Sequence, residues 1–259
     1  LPLREAIAGE WATRYKAEVD PGRILVVPGG KVTMFFAISM LGEKGAEIIY
    51  PNPGFPIYES VIKWTGATPV PLPLLEKNGF AFKAEDVLSR ITPKTRLIII
   101  NSPANPTGGV TPRAEIEKLA KGLEKFPNAV VMSDEIYGRI VYDKNEHVSM
   151  LEFPSLRDRL ILLDGFSKTY AMTGWRMGYA LWPKEMIEGA TRLAVNCHSC
   201  VNAASQWAGI AALQGPQDAV DAMCKAFDER RRYIVGALNQ TPGFRCVEPG
   251  GAFYAFPNI

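Results

Sequence analysis

Lys168 stands in an unusual setting for a lysine. It lies in the run Asp164-Gly165-Phe166-Ser167-Lys168-Thr169-Tyr170-Ala171-Met172-Thr173-Gly174-Trp175-Arg176, among small and aromatic residues rather than other charges. An amine in apolar surroundings is pushed from about 10.4 toward neutrality, where it acts as a nucleophile or base. Arg176 follows eight residues later and offers a planar fork that suits phosphate oxygens. Three further stretches carry polar groups. Pro28-Gly29-Gly30-Lys31 opens a helical pattern, where glycines admit close approach of a ligand and free N–H groups face an anion. Asn101-Ser102-Pro103-Ala104-Asn105-Pro106-Thr107-Gly108 makes a stiff polar loop, and Ser133-Asp134-Glu135-Ile136-Tyr137 places a carboxylate three residues before a phenol.

Each of these stretches follows a short apolar run. The runs are Ile24–Val27, Glu47–Tyr50, Thr68–Val70, Leu97–Ile100, Ala129–Met132, Leu160–Leu163 and Met177–Leu181. Several are apolar at consecutive positions, the pattern of strands buried on both faces. Helical patterns intervene at Lys31–Leu41, Pro56–Trp64, a segment opened by Thr111 as N-cap with Pro112 and Glu115, Pro183–Ala194 and Gln217–Leu238. Strand alternating with helix predicts a three-layer α/β/α domain with a mostly parallel sheet of about seven strands. In such sheets ligands sit beyond the carboxyl ends of the strands. The polar stretches lie at those ends, so they are expected to share one site. An amine, a carboxylate, a phenol, an amide, an arginine and an anion cradle together suit pyridoxal 5'-phosphate (PLP), a phosphorylated aromatic cofactor held through a lysine Schiff base.

The run from Ser167 to Tyr179 closely resembles the lysine segment of the class I/II PLP-dependent aminotransferases of fold type I. Asn105-Pro106-Thr107-Gly108, Asp134-Glu135-Ile136-Tyr137, Gly29-Gly30-Lys31 and Pro53-Gly54-Phe55-Pro56-Ile57-Tyr58 resemble further motifs of that family in the right order. The likeness is nearest to the aspartate and aromatic aminotransferase branch. It implies that Lys168 forms the Schiff base and shuttles the proton, and that Asp134 pairs with the protonated pyridine nitrogen. It also implies that Tyr137 and Asn105 bond the phenolic oxygen, that Gly30, Lys31, Ser167 and Arg176 hold the phosphate, and that Phe55 stacks on the ring. The expected reaction moves an amino group between an L-amino acid and a 2-oxo acid. Other fold type I enzymes share these motifs: C–S lyases, decarboxylases and cyclopropane-forming synthases. So does the non-catalytic PLP-binding effector domain of some transcription regulators, which would need a DNA-binding module before Leu1. The family pattern further implies a homodimer, a substrate-carboxylate arginine past Ile259 and a closing segment before Leu1. Residues 1–240 are therefore expected to be the PLP-binding large domain and 241–259, after Thr241-Pro242-Gly243, the start of a small C-terminal domain.

Composition narrows the class. The chain has 259 residues, 47% hydrophobic and 22% charged, with 29 basic and 27 acidic side chains and a net charge of +2. That balance calls for a full globular core and gives no reason to expect nucleic acid or a membrane as partner. Four cysteines are too few for a disulfide framework and fit a cytoplasmic protein. Cys197-His198-Ser199-Cys200 lacks a second ligand pair, so no metal site is expected. His147 reads as a solvated loop residue, Glu229-Arg230-Arg231-Arg232 as the polar face of a helix, and Gly251–Phe256 as a strand.

Overall fold

The computed structural model describes Leu1–Ile259. Seven strands form one sheet: β1 (Ile24–Val27), β2 (Glu47–Asn52), β3 (Thr68–Pro73), β4 (Thr95–Asn101), β5 (Val130–Asp134), β6 (Leu160–Gly165) and β7 (Gly178–Leu181). Their order across the sheet is β1-β7-β6-β5-β4-β2-β3. β7 alone runs against its neighbours β1 and β6, and the other pairings are parallel. The expected fold class is the observed one.

The consecutive apolar residues in the central strands follow from two cores, one on each face. Ile98 and Ile100 of β4 and Leu160 and Leu162 of β6 enter one core, together with Leu3, Ile7 and Trp11 of α1 (Pro2–Tyr15). Val87 of α4 (Ala84–Leu88) and Ile116 and Leu119 of α5 (Arg113–Leu123) join them. The alternate residues Leu97, Ile99, Ile161 and Leu163 face the other core. There they meet Phe36 and Ile38 of α2 (Gly30–Leu41), Tyr58 and Ile62 of α3 (Ile57–Trp64), and Ala190 and Ala194 of α6 (Ile187–His198). A period of two along a strand requires this split, and the buried polar residues Asn101, Ser133, Asp134 and Asp164 fall at the carboxyl ends of the central strands. α7 (Ala203–Gln214) packs on α1, and the long α8 (Asp218–Gln240) lies outermost.

Several local expectations are corrected. α5 is capped at Pro112, not Thr111, and the Glu115 carboxylate instead accepts from the Ala84 N–H and pairs with Lys118. α6 begins at Ile187, after a turn over Pro183–Met186. Gly251–Phe256 is not a strand. Only Gly251 bridges to Val141, and Ala252 turns left-handed at φ 56°. Its aromatic rings are satisfied by packing edge-on against the body, Tyr254 on Tyr137 and Phe256 on Phe80. His147 is buried, its Nε2 2.9 Å from the buried Glu135 carboxylate. Arg231 is buried as well, where it donates to Asp228 and the Pro249 carbonyl and pairs with Asp143. Both side chains found partners far along the chain, which local composition does not reveal.

Trp11 is fully buried beside Tyr179, with ring centroids 5.6 Å apart, and ties α1 to the sheet. Trp11→Ala should lower unfolding stability by about 3–5 kcal/mol in urea titrations. A loss under 1 kcal/mol would mean that α1 is not part of the cooperative core.

Candidate active site

The reversed β7 is what gathers the site. Val27, at the carboxyl end of β1, pairs with Gly178, and Gly165, at the carboxyl end of β6, pairs with Gly178 on its other side. The starting end of β7 therefore lies among the finishing ends of its parallel neighbours. This brings Arg176 against the turn that opens α2. The fit is close: a Cβ on Gly29 would lie 2.3 Å from Arg176 Nη2, and one on Gly178 would lie 2.3 Å from the Gly30 nitrogen. Gly29 also holds φ +95°, a left-handed backbone that disfavours other residues. The guanidinium is aimed by two carbonyls, Nη1 donating to Thr173 (2.9 Å) and Nη2 to Pro28 (3.4 Å). The first N–H groups of α2 have no partner within the helix. An exposed guanidinium and a helix N-terminus thus converge on one spot.

Asp134 ends β5 and is 2% exposed. Its Oδ2 accepts a 2.6 Å hydrogen bond from the Tyr58 hydroxyl of α3. Burial nevertheless dominates and pushes the carboxyl up to about 6, while the Tyr58 bond, the Ile136 N–H and Lys168 pull it down. The neighbouring Asn101 ends β4 directly opposite. Its amide donates to the Asp134 carbonyl (2.9 Å) and accepts from the Asn105 N–H (2.8 Å), so one side chain ties the polar loop to the carboxylate strand. The Lys168 ammonium is half-buried, with Nζ 5.4 Å from the Phe253 ring centroid and 6.0 Å from that of Tyr137. Burial first, then the positive Arg176, hold it below the ordinary lysine range, against the pull of Asp134. The Tyr137 phenol is raised, chiefly by burial, and its hydroxyl is hydrogen-bonded to that of Tyr254. Lys31 reaches over the Phe55 ring, 5.2 Å from its centroid.

All nine residues singled out in the sequence line one cavity of about 260 Å3: Gly30, Lys31, Phe55, Asn105, Asp134, Tyr137, Ser167, Lys168 and Arg176. That is near the low end of the roughly 300–1,000 Å3 common for small-molecule sites. A wider apolar cavity of about 500 Å3 lies beside it, between α8 and residues 249–255, and shares Tyr254. None of the nine residues reaches it. The other strongly raised carboxyl, Asp164, pushed up by burial to about 7, does not line the smaller cavity.

Met34, Ile136, Leu163 and Thr173 complete the cavity wall, and two phenols of the site were not singled out in the sequence. Tyr58 was visible only as the last member of the Pro53–Tyr58 motif; its place three residues after Phe55, in the first turn of α3, was the available signal. Tyr254 lies 86 residues beyond Lys168, on the segment misread as a strand, and carried no local signal.

The sequence profile described as "Aminotransferase class I and II" matches residues 2–259, and the chain belongs to that family. An aspartate aminotransferase from Geobacillus stearothermophilus is 38% identical over 257 residues, covering 99% of this chain and 65% of the relative. The crystal structure of an aspartate aminotransferase from Rhizobium meliloti superposes with a TM-score of 0.94 at 34% identity, over 99% of this chain and 64% of that one. An aromatic aminotransferase from Pyrococcus horikoshii gives 0.94 at 35% identity, over 100% and 69%. The chain thus spans about two thirds of the length of these relatives.

Because the folded pKa of Asp134 lies above its unfolded value near 3.8, its contribution to stability is fully present below about pH 4 and is lost as the pH rises through about 6. Asp134→Asn keeps an acceptor for Tyr58 but carries no charge. Without added ligand, this variant should exceed the parent in unfolding stability by about 1–3 kcal/mol above pH 6, with the difference closing below pH 4. Urea titrations across that range would show it. A difference independent of pH would mean that the carboxylate is not held at a desolvation cost.

Proposed function

We propose that the chain binds PLP and is the cofactor-bearing part of an aminotransferase acting between an L-amino acid and a 2-oxo acid. In this reading residues 1–240 form the PLP-binding domain. Residues 241–259 begin a further domain and close one wall of the site through Tyr254. The observation that carries the proposal is the convergence of a lysine, a buried carboxylate and an anion cradle from separate strand ends on one cavity.

The residues fit the cofactor on grounds of their own chemistry. A buried carboxyl raised to about 6 is short of a cation, and a protonated pyridine nitrogen would supply one and restore its charge. The turn at Gly29, with no room for a Cβ beside Arg176, leaves backbone N–H groups and a guanidinium for a phosphate. Tyr137 and Asn105 offer polar groups for a phenolic oxygen, and Phe55 offers a ring face on the same wall as Lys31. Bound here, PLP supplies an aldehyde for amines and an electron sink for the charge left when an α-proton departs.

The chain's own groups then divide the work. Lys168, its ammonium weakened by burial and by Arg176, gives up its proton more readily than an ordinary lysine. With the cofactor held here, the free amine of Lys168 would supply the nucleophile for an aldehyde, with water as the leaving group, and a base for a substrate α-proton. Asp134, held in place by the bond from Tyr58, would stay a carboxylate once a cation faces it. The Tyr137 hydroxyl, raised by burial, remains protonated through the neutral range and can donate. Arg176 and the N–H groups that open α2 would hold the phosphate and so limit the freedom of the bound group.

Purified chain incubated with PLP should turn yellow, and borohydride should fix a pyridoxyl group on Lys168, mapped by peptide mass spectrometry. Lys168→Ala should keep PLP affinity within about tenfold through the phosphate contacts but lose more than about 1,000-fold in α-proton exchange. Label on another lysine, or exchange that survives in Lys168→Ala, would overturn the proposal.

A further inference from the structure

We infer that Tyr254 is a positioning residue for the site: its hydroxyl, paired with that of Tyr137, directs the Tyr137 proton into the cavity and strengthens it as a donor there. The inference rests on the cofactor reading above.

Three observations carry it. The two hydroxyls are hydrogen-bonded to each other, and Tyr254 lines the same cavity as Lys168 and Asp134. The Tyr254 ring is held from two sides, 5.6 Å from Tyr137 at 79° and 5.0 Å from Phe253 at 45°, so its hydroxyl has little freedom to turn away. The Asn105 side chain lines the same cavity beside the pair. Either hydroxyl can donate in this pair; facing an acceptor in the cavity, Tyr254 donates and the single hydrogen of Tyr137 is free for that acceptor. Asp134 is already engaged by Tyr58, so that hydrogen is directed to the open cavity. A hydroxyl that accepts one hydrogen bond becomes a stronger donor of the next. The other charged or titratable groups around the pair are Asp134 at the end of β5, Lys168 and Arg176 after β6, Lys31 on α2 and Tyr58 on α3, and, across the wider cavity, Tyr142 with Glu229, Arg230, Arg231 and Tyr233 of α8. Tyr254 therefore acts on a bound phenolic oxygen without touching it.

The test is the pH midpoint of the visible absorbance change of the PLP-loaded chain. A weaker Tyr137 donor leaves more negative charge on the phenolic oxygen, which makes the adjoining nitrogen more basic. Tyr254→Phe should raise the midpoint by about 0.5–1 pH unit. The fold and the thermal midpoint should be retained, because the ring packing is unchanged. In a Tyr137→Phe background the same substitution should move the midpoint by less than about 0.2 unit, since the relay is already cut. A purely packing role would lower stability and leave the midpoint in place. A midpoint indifferent to Tyr254, or an equal shift in both backgrounds, overturns this inference alone. A parent chain left unlabelled at Lys168 by borohydride overturns the cofactor reading and the inference with it.

Discussion

A carboxylate buried at the end of a central strand is the constraint around which the site is arranged. Removing Asp134 from water costs several kcal/mol unless something replaces the lost hydration. Only part is replaced from within: the Tyr58 hydroxyl on one oxygen and a long contact from the Ile136 N–H on the other. The surroundings therefore have to be rigid. Asn101 fixes the backbone of the carboxylate from the adjacent strand. On the other side, Glu135 points away into a pocket of its own, where Ser133, His147 and the Met150 N–H donate to it. Two successive acidic residues thus enter opposite sides of the chain. One is satisfied by partners, and the other is left in want of a cation.

The geometry around that carboxylate depends on one topological choice. Had β7 run parallel to its neighbours, the loop leaving Lys168 would have had to cross the sheet before returning. Running antiparallel, it returns at once, and a dozen residues connect the end of β6 to the start of β7. Ala171 and Arg176 adopt left-handed backbone within that loop. Such conformations cost free energy for residues with a Cβ and persist where the surroundings demand them. Here the demand is the packing of Arg176 against Gly29.

Much of this was legible in the residues. All seven strands announced themselves as apolar runs because both faces of the sheet are covered, and the polar stretches that followed them proved to share a cavity. What escaped notice depends on distance along the chain. Glu135 and His147 pair across a loop, Arg231 meets Asp143 and the Pro249 carbonyl, and Tyr254 reaches Tyr137 from 117 positions away. A histidine amid charged neighbours reads as solvated until the partner that buries it is known. The α1 helix was missed because Pro2–Tyr15 mixes polar and apolar residues without a clean stripe. Its burial comes from being covered on a second side by α7.

The pairing of β1 with β7 alone has a kinetic consequence. Ile24 and Leu181 are neighbours in the sheet but 157 positions apart in the chain, and closing so long a loop is slow relative to local pairing. β1, which leads into the turn at Gly29 and Gly30, has β7 as its one partner in the sheet. The anion cradle thus depends on a long-range pairing, and a chain lacking residues near 178 has no partner strand to hold it. Any ligand that needs it discriminates finished molecules from unfinished ones, and by mass action holds the outermost seam of the sheet shut.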